Sequence, residues 1–111
     1  MANTFKLKTA TGGSTAANTP ITVYTSPAST TTIIIGLTLS NLVASSIAAK
    51  VLIENADGDN VTYLNDIPLP SGSAVEVMAG NKIVMETGHS LIVQSDTANS
   101  LDTVASIMEI T

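Results

Sequence analysis

A chain of 111 residues and 11.3 kDa holds one domain, and at 44% hydrophobic residues it can build a packed core. Only 12% of residues are charged, the net charge is −5, and four lysines are the whole positive complement, so no basic face exists on which nucleic-acid phosphates could shed their counterions. Cysteine is absent, which excludes disulfides and thiolate metal sites within the chain.

The longest apolar run, Ile33-Ile34-Ile35-Gly36-Leu37, is far shorter than the roughly 20 residues that span a bilayer. The first eight residues, Met1 to Lys8, contain no apolar h-region before a small-residue cleavage site, so the expectation is a protein made in the cytoplasm of the producing cell and kept there unless released by lysis, with no membrane partner. Threonine and serine together number 28 and asparagine eight. Short neutral polar side chains lose little rotamer entropy and little hydration when covered, which suits a surface that faces other subunits.

Residues 1–19 are mostly Thr, Ala, Asn, Gly and Ser around Thr11-Gly12-Gly13-Ser14-Thr15, with one short alternation at Phe5-Lys6-Leu7-Lys8. They read as an extended arm ordered by what it touches. Phe5 and Leu7 are its candidate anchors, and Lys6 and Lys8 are expected to meet acidic groups on a neighbouring subunit. Residues 20–111 read as the domain proper. Ile21 to Thr25 alternates with period two and stops at Ser26-Pro27. Thr31 to Leu42 is too continuously apolar for a half-exposed strand, and Gly36 marks a bulge or close approach within it. Ala48 to Asn55 and Val61 to Leu64 flank Ala56-Asp57-Gly58-Asp59-Asn60, a hairpin turn. Asn65 to Gly72 is expected not to pair regularly, because Pro68 and Pro70 lack amides. Ser73 to Met78, Lys82 to Met85, Ser90 to Ser95 and Leu101 to Ile110 complete the series, separated by Ala79-Gly80-Asn81, Thr87-Gly88-His89 and Asp96-Thr97-Ala98-Asn99.

Strands at this spacing predict an all-β fold: an antiparallel β-sandwich or jelly-roll-like barrel of seven to eight short strands with an extended N-terminal arm. The expected core is Ile33, Ile35, Leu37, Leu39, Val51, Ile53, Val75, Val77, Ile83, Met85, Leu91, Val93, Val104 and Ile107. One alternative stays open at Asn41 to Lys50, where Leu42, Ser46 and Ala49 could share the face of a single helical turn.

Little in the sequence offers chemistry. His89 is the one side chain that titrates near neutrality, and it follows Gly88 in a turn; its neighbour Ser90 in a strand points the other way, so the two do not form a nucleophile–base pair. A metal site of the double-stranded β-helix type needs two or three histidines with a carboxylate. Asn55, Asp57 and Asp59 have the alternate spacing of a calcium loop, with Asp66 at its twelfth position, but Asn60 replaces the turn glycine and strands replace the flanking helices, which favours a plain hairpin turn over a cation site. Gly12-Gly13 has no preceding strand, following helix or lysine to make a phosphate loop. Glu54, Glu76, Glu86 and Glu109 are scattered over strand positions, and Tyr24, Tyr63 and Phe5 are too few for a carbohydrate-stacking platform. The expectation is a non-enzyme with no catalytic, cofactor or metal residues.

Pro70-Ser71-Gly72-Ser73-Ala74-Val75-Glu76-Val77, then Asn81 to Val93 (Asn-Lys-Ile-Val-Met-Glu-Thr-Gly-His-Ser-Leu-Ile-Val), then Ala105-Ser106-Ile107-Met108-Glu109-Ile110 form a series that resembles small virion structural proteins of tailed bacteriophages. Ser26 to Thr31 and Ile33 to Leu37 suit the same pattern, so the resemblance spans residues 20–111. His89 stands where the pattern carries an acid after the turn glycine. The resemblance implies a β-sandwich without catalytic residues, acting as a capsid decoration (cement) protein on the outer head surface of the virion. Its implied partners are the major capsid protein and itself, as a homo-oligomer with a trimer favoured by three-fold capsid positions. A neck, tail or fibre component is the alternative within the family, and a small host-surface binding module is the alternative outside it.

Overall fold

A computed structural model describes residues 2–13, 15–78 and 80–111; Met1 and Ser14 of the expected arm and Ala79 of an expected turn lie outside the described residues. Among the described residues nine strands are present: β1 (Asn3–Thr11), β2 (Ile21–Thr25), β3 (Thr31–Asn41), β4 (Ile47–Glu54), β5 (Asn60–Leu69), β6 (Ala74–Glu76), β7 (Ile83–Met85), β8 (Ser90–Ser95) and β9 (Leu101–Ile110). One sheet runs β1-β9-β3-β6, with β7 also paired to β3, and the other runs β2-β8-β4-β5; all the pairings are antiparallel. The chain changes sheet at every connection except β4–β5 and β6–β7. This is the jelly-roll arrangement, with one of its eight positions split into the two short strands β6 and β7.

The expected strand series is present, and the ninth strand comes from the segment read as an arm. Residues 3–11 pair with β9 in unbroken register, from Asn3 opposite Ile110 to Thr11 opposite Asp102. The segment is extended, but its partner is its own domain. The alternation at Phe5-Lys6-Leu7-Lys8 is inverted: Lys6 and Lys8 share the inner side with Ala10, and Phe5 and Leu7 face outward. Of its apolar residues only Ala10 packs against the core.

Beyond the arm, the reading of residues 65–72 is corrected and the helical alternative at Asn41 to Lys50 is closed. β5 continues through Pro68 to Leu69, with Ala48 opposite Pro68. It can do so because β5 is the outer strand of its sheet, where a missing amide costs no ladder bond, and because the register shifts near Val51 and the left-handed Asp66 (φ 51°) absorb the irregularity. The possible helical turn after Asn41 is instead a bend held by the Asn41 side chain. Its amide donates to the carbonyls of Ser45 (2.8 Å), Leu69 (3.0 Å) and Pro70 (3.1 Å), and its oxygen accepts from the Val43 amide (2.9 Å).

The core lies between the sheets. Leu37, Leu39, Val51, Met85, Leu91, Val93 and Ile107 are buried as expected, and Ile53, Val75, Val77 and Ile83 pack half-buried against them. Ile33, Ile35 and Val104 do not belong to it. A register shift between Ile34 and Gly36 inserts one residue into β3, so the buried positions are Thr32 and Ile34 before the bulge and Leu37, Leu39 and Asn41 after it. In β9 the buried set is Leu101, Thr103, Ala105, Ile107 and Glu109, which places Val104 on the opposite face.

Thr103 carries a buried hydroxyl with no hydrogen-bond partner. Thr103→Val removes that unmet group at nearly constant volume. It is expected to stabilise the domain by about 1 kcal/mol in denaturant titration; a loss of stability would mean that the hydroxyl is bonded in solution.

Candidate functional site

The outward face of the β1-β9-β3-β6 sheet carries an apolar patch where a lone sandwich would be expected to be polar. Phe5 stands opposite Met108, Met108 opposite Ile33, and Ile33 opposite Val84, so one transverse row crosses four strands without a polar side chain. Phe5 is 72% exposed and Val84 61%, with Met108 and Ile33 half-buried between them. Leu7 (64% exposed), Ile35 and Val104 extend the patch along β1, β3 and β9. Two carboxylates on this face, Asp102 and Glu76, accept from backbone amides. Asp102 accepts from Gly12 at 3.2 Å, and Glu76 accepts from Leu37 at 3.0 Å and from Met78 at 2.6 Å. The row Phe5–Met108–Ile33–Val84 itself carries no charge to keep another apolar surface away.

The four residues singled out in the arm are thus divided between two environments. Phe5 and Leu7 belong to the outer face. Lys6 and Lys8 turn the other way, and the acid that Lys6 meets is in its own chain: its ammonium lies 2.8 Å from Oε1 of Glu109, whose side chain is 8% exposed. Lys8 sits over the Tyr24 ring, 5.7 Å from its centroid. The Tyr24 hydroxyl donates to Oε2 of Glu109 and lies 2.8 Å from the Thr32 hydroxyl, which is in turn 3.0 Å from the Ser26 hydroxyl. The Lys6 ammonium, and after it the Tyr24 hydroxyl, hold the Glu109 carboxyl below the usual carboxylate range. Burial, and after it the bond to Glu109, push the Tyr24 hydroxyl up. The cluster ties β1 and β9 of one sheet to β2 of the other. It fastens the structure.

The remaining sequence candidates resolve into turn chemistry. His89 is half-buried, and its Nδ1 accepts from the Glu86 amide at 3.2 Å, so it closes its own turn. The Asn55 side-chain oxygen accepts from the amides of Asp57 and Asp59, both at 3.0 Å, and Gly58 takes a positive φ of 86°. Asn55 thus builds the hairpin turn, and Asp66, offered as the twelfth position of a calcium loop, pairs with Lys50 at 2.8 Å. Among the described residues no group of three histidine or acidic side chains is close enough to share a metal ion. The niche lined by Gly12, Thr15, Ile21, Ser95, Ser100 and Leu101 holds about 10 Å³, the room of one water.

The sequence matches no protein-family model and no curated protein. Among solved structures, a chain from Bacillus endospore appendages, described as a novel family of disulfide-linked pili, is similar with a TM-score of 0.58 and 11% identity, over 99% of this chain and 87% of that one. The likeness is one of fold. The present chain has no cysteine with which to form disulfide links of that kind.

The outer-face residues were hidden from a reading of the sequence because apolar strand positions look like core positions. One signal was available: Val104 and Ile107 have opposite parity, so a regular β9 could not bury both. The Tyr24–Glu109 pair had no such signal, since its members are far apart in sequence and meet only when the two sheets close.

Proposed function

We propose that this protein is a non-enzymatic structural subunit of a phage virion, a decoration protein that binds the outer surface of the head and stabilises it mechanically. The observation that carries the reading is the uncharged apolar row Phe5–Met108–Ile33–Val84 on the outer face of one sheet, a surface suited to burial against protein. The resemblance of residues 20–111 to small virion proteins supports it. Each attachment can be weak, because many copies on a lattice require several contacts to break together before capsomers separate. A second reading, a subunit stacked in a neck, tail or other filamentous assembly, is favoured by the fold likeness to the pilus chain.

Heads lacking the protein are expected to assemble and package DNA, then to rupture at lower temperature or after a milder osmotic shock than complete heads. Adding purified protein should restore them. Val84→Glu places a charge at the β7 end of the apolar row, at an exposed position, so it is expected to leave the fold intact and to weaken head binding by about tenfold or more. Complete heads without tails, in place of fragile heads, would reject decoration in favour of the second reading.

A further inference from the structure

Four strand edges terminate the two sheets, and three of them are blunted. β2 is five residues long, has a register shift and lies between Pro20 and Pro27. β5 contains Pro68 and two irregularities. The β6/β7 edge is two separate three-residue strands. β1 is different: nine residues, no proline and no register shift. Blunting of this kind is how sheet proteins avoid pairing with one another, and a long regular edge invites it.

The direction of the β1 backbone groups follows from its first bonds. Ala2 and Thr111 exchange both amide–carbonyl bonds, at 3.0 and 2.9 Å, so they are a hydrogen-bonded pair. That pattern alternates along an antiparallel ladder. Thr4, Lys6, Lys8 and Ala10 therefore bond to β9, while the amides and carbonyls of Asn3, Phe5, Leu7 and Thr9 point to the open edge. Those same four residues carry their side chains on the outer face. The inward lysines, often a deterrent to edge pairing, are engaged within the chain by Glu109 and the Tyr24 ring.

From this we infer that β1 pairs with β1 of a second copy, antiparallel about a two-fold axis at Lys6, with Phe5 of each copy opposite Leu7 of the other. The open-edge groups can meet only if odd-numbered positions face odd-numbered positions. Of the registers that satisfy this, the one centred on Lys6 places both large exposed side chains of each copy against those of its partner. Four hydrogen-bonded residue pairs, Asn3 with Thr9 and Phe5 with Leu7 taken twice each, then supply on the order of eight backbone bonds. The two sheets fuse into one continuous sheet, and the apolar outer face doubles. The second copy is the fitting occupant because the edge is self-complementary and its outward side chains carry no charge. The inference concerns the free protein and holds wherever the assembly places it.

Sedimentation of the purified protein from micromolar to millimolar concentration is expected to show a reversible monomer–dimer equilibrium. Leu7→Pro deletes an amide that points to the open edge, so it removes no bond to β9 and should leave circular dichroism and the unfolding midpoint of the monomer nearly unchanged. It should weaken the dimer by about tenfold or more. Lys8→Pro, whose amide faces β9, should instead destabilise the fold. Register is read with cysteines, for which the chain supplies no background. A mixture of Phe5→Cys and Leu7→Cys proteins should cross-link, because paired Cα atoms lie about 5.5 Å apart. Phe5→Cys alone should not, since its two copies are offset along the strands. A monomer throughout the range, a trimer, a dimer indifferent to Leu7→Pro, or cross-linking by Phe5→Cys alone would each overturn the pairing.

Discussion

Shortening Ile34 to alanine is expected to destabilise the domain by about 2–5 kcal/mol, whereas the same change at Ile35 should cost under about 1 kcal/mol. Ile34 is fully buried between the sheets, and Ile35, the next residue, is 37% exposed on the outer face. The removed methyl and methylene groups leave a cavity at Ile34 that the packed neighbours cannot close; at Ile35 they leave only solvent. Thermal denaturation should separate the two variants by roughly 10 °C or more. The contrast tests the bulge directly, because a strand without it would bury residues of the other parity on one side of Gly36. If Ile35→Ala proves the costlier change, the register of β3 against β9 is wrong.

Ile33, Ile34 and Ile35 also show how far the sequence could be read. β-branched runs bounded by Pro, Gly and Asx turns identify the strands, and their spacing identifies two packed sheets, because those signals are local. Which face of β3 looks inward is a different kind of fact. Three consecutive isoleucines satisfy either phase, and the bulge beside Gly36 changes phase within the strand, so the choice is made by the pairing with β9. β1 failed to register as a strand of the domain for a related reason. Its inner positions are Thr4, Lys6, Lys8 and Ala10, which read as a solvent face until Glu109 and Tyr24 are seen beside them. Long edge strands with inward charge carry an inverted pattern, and inversion is invisible without knowledge of the partner. The exposed apolar row has the same origin: Phe5, Met108, Ile33 and Val84 are far apart in sequence and adjacent only through the β1-β9-β3-β7 pairings.

Replacing Glu109 by glutamine is expected to cost about 1–3 kcal/mol near neutral pH and to loosen β1 before the rest of the fold. The carboxylate receives the Lys6 ammonium on one oxygen and the Tyr24 hydroxyl on the other, with its own side chain almost wholly out of water. Glutamine can still accept from Tyr24, but it offers the ammonium no charge. Because the folded-state pKa of Glu109 is lowered, its contribution is present above the ordinary carboxylate range and is lost as pH falls through the lowered value. The stability difference between the native chain and Glu109→Gln should therefore be largest at neutral pH and shrink on acidification, as both come to carry an uncharged side chain at this position. Part of the effect should also fall with salt, since the Lys6 side chain remains 42% exposed. β1 gives up little apolar burial when it leaves, so amide exchange should accelerate first at Thr4, Lys6 and Lys8, the residues whose amides bond to β9, while β8 and β4 stay protected. Lys6→Met keeps the stem and removes the charge. Alone it leaves a buried carboxylate supported by Tyr24 only, so it should cost more in the native background than in Glu109→Gln, and the cycle should give a coupling of about 0.5–3 kcal/mol. A coupling near zero, or a difference between native and Glu109→Gln that does not change from neutral to acid pH, would mean that the ion pair does not hold β1 in place.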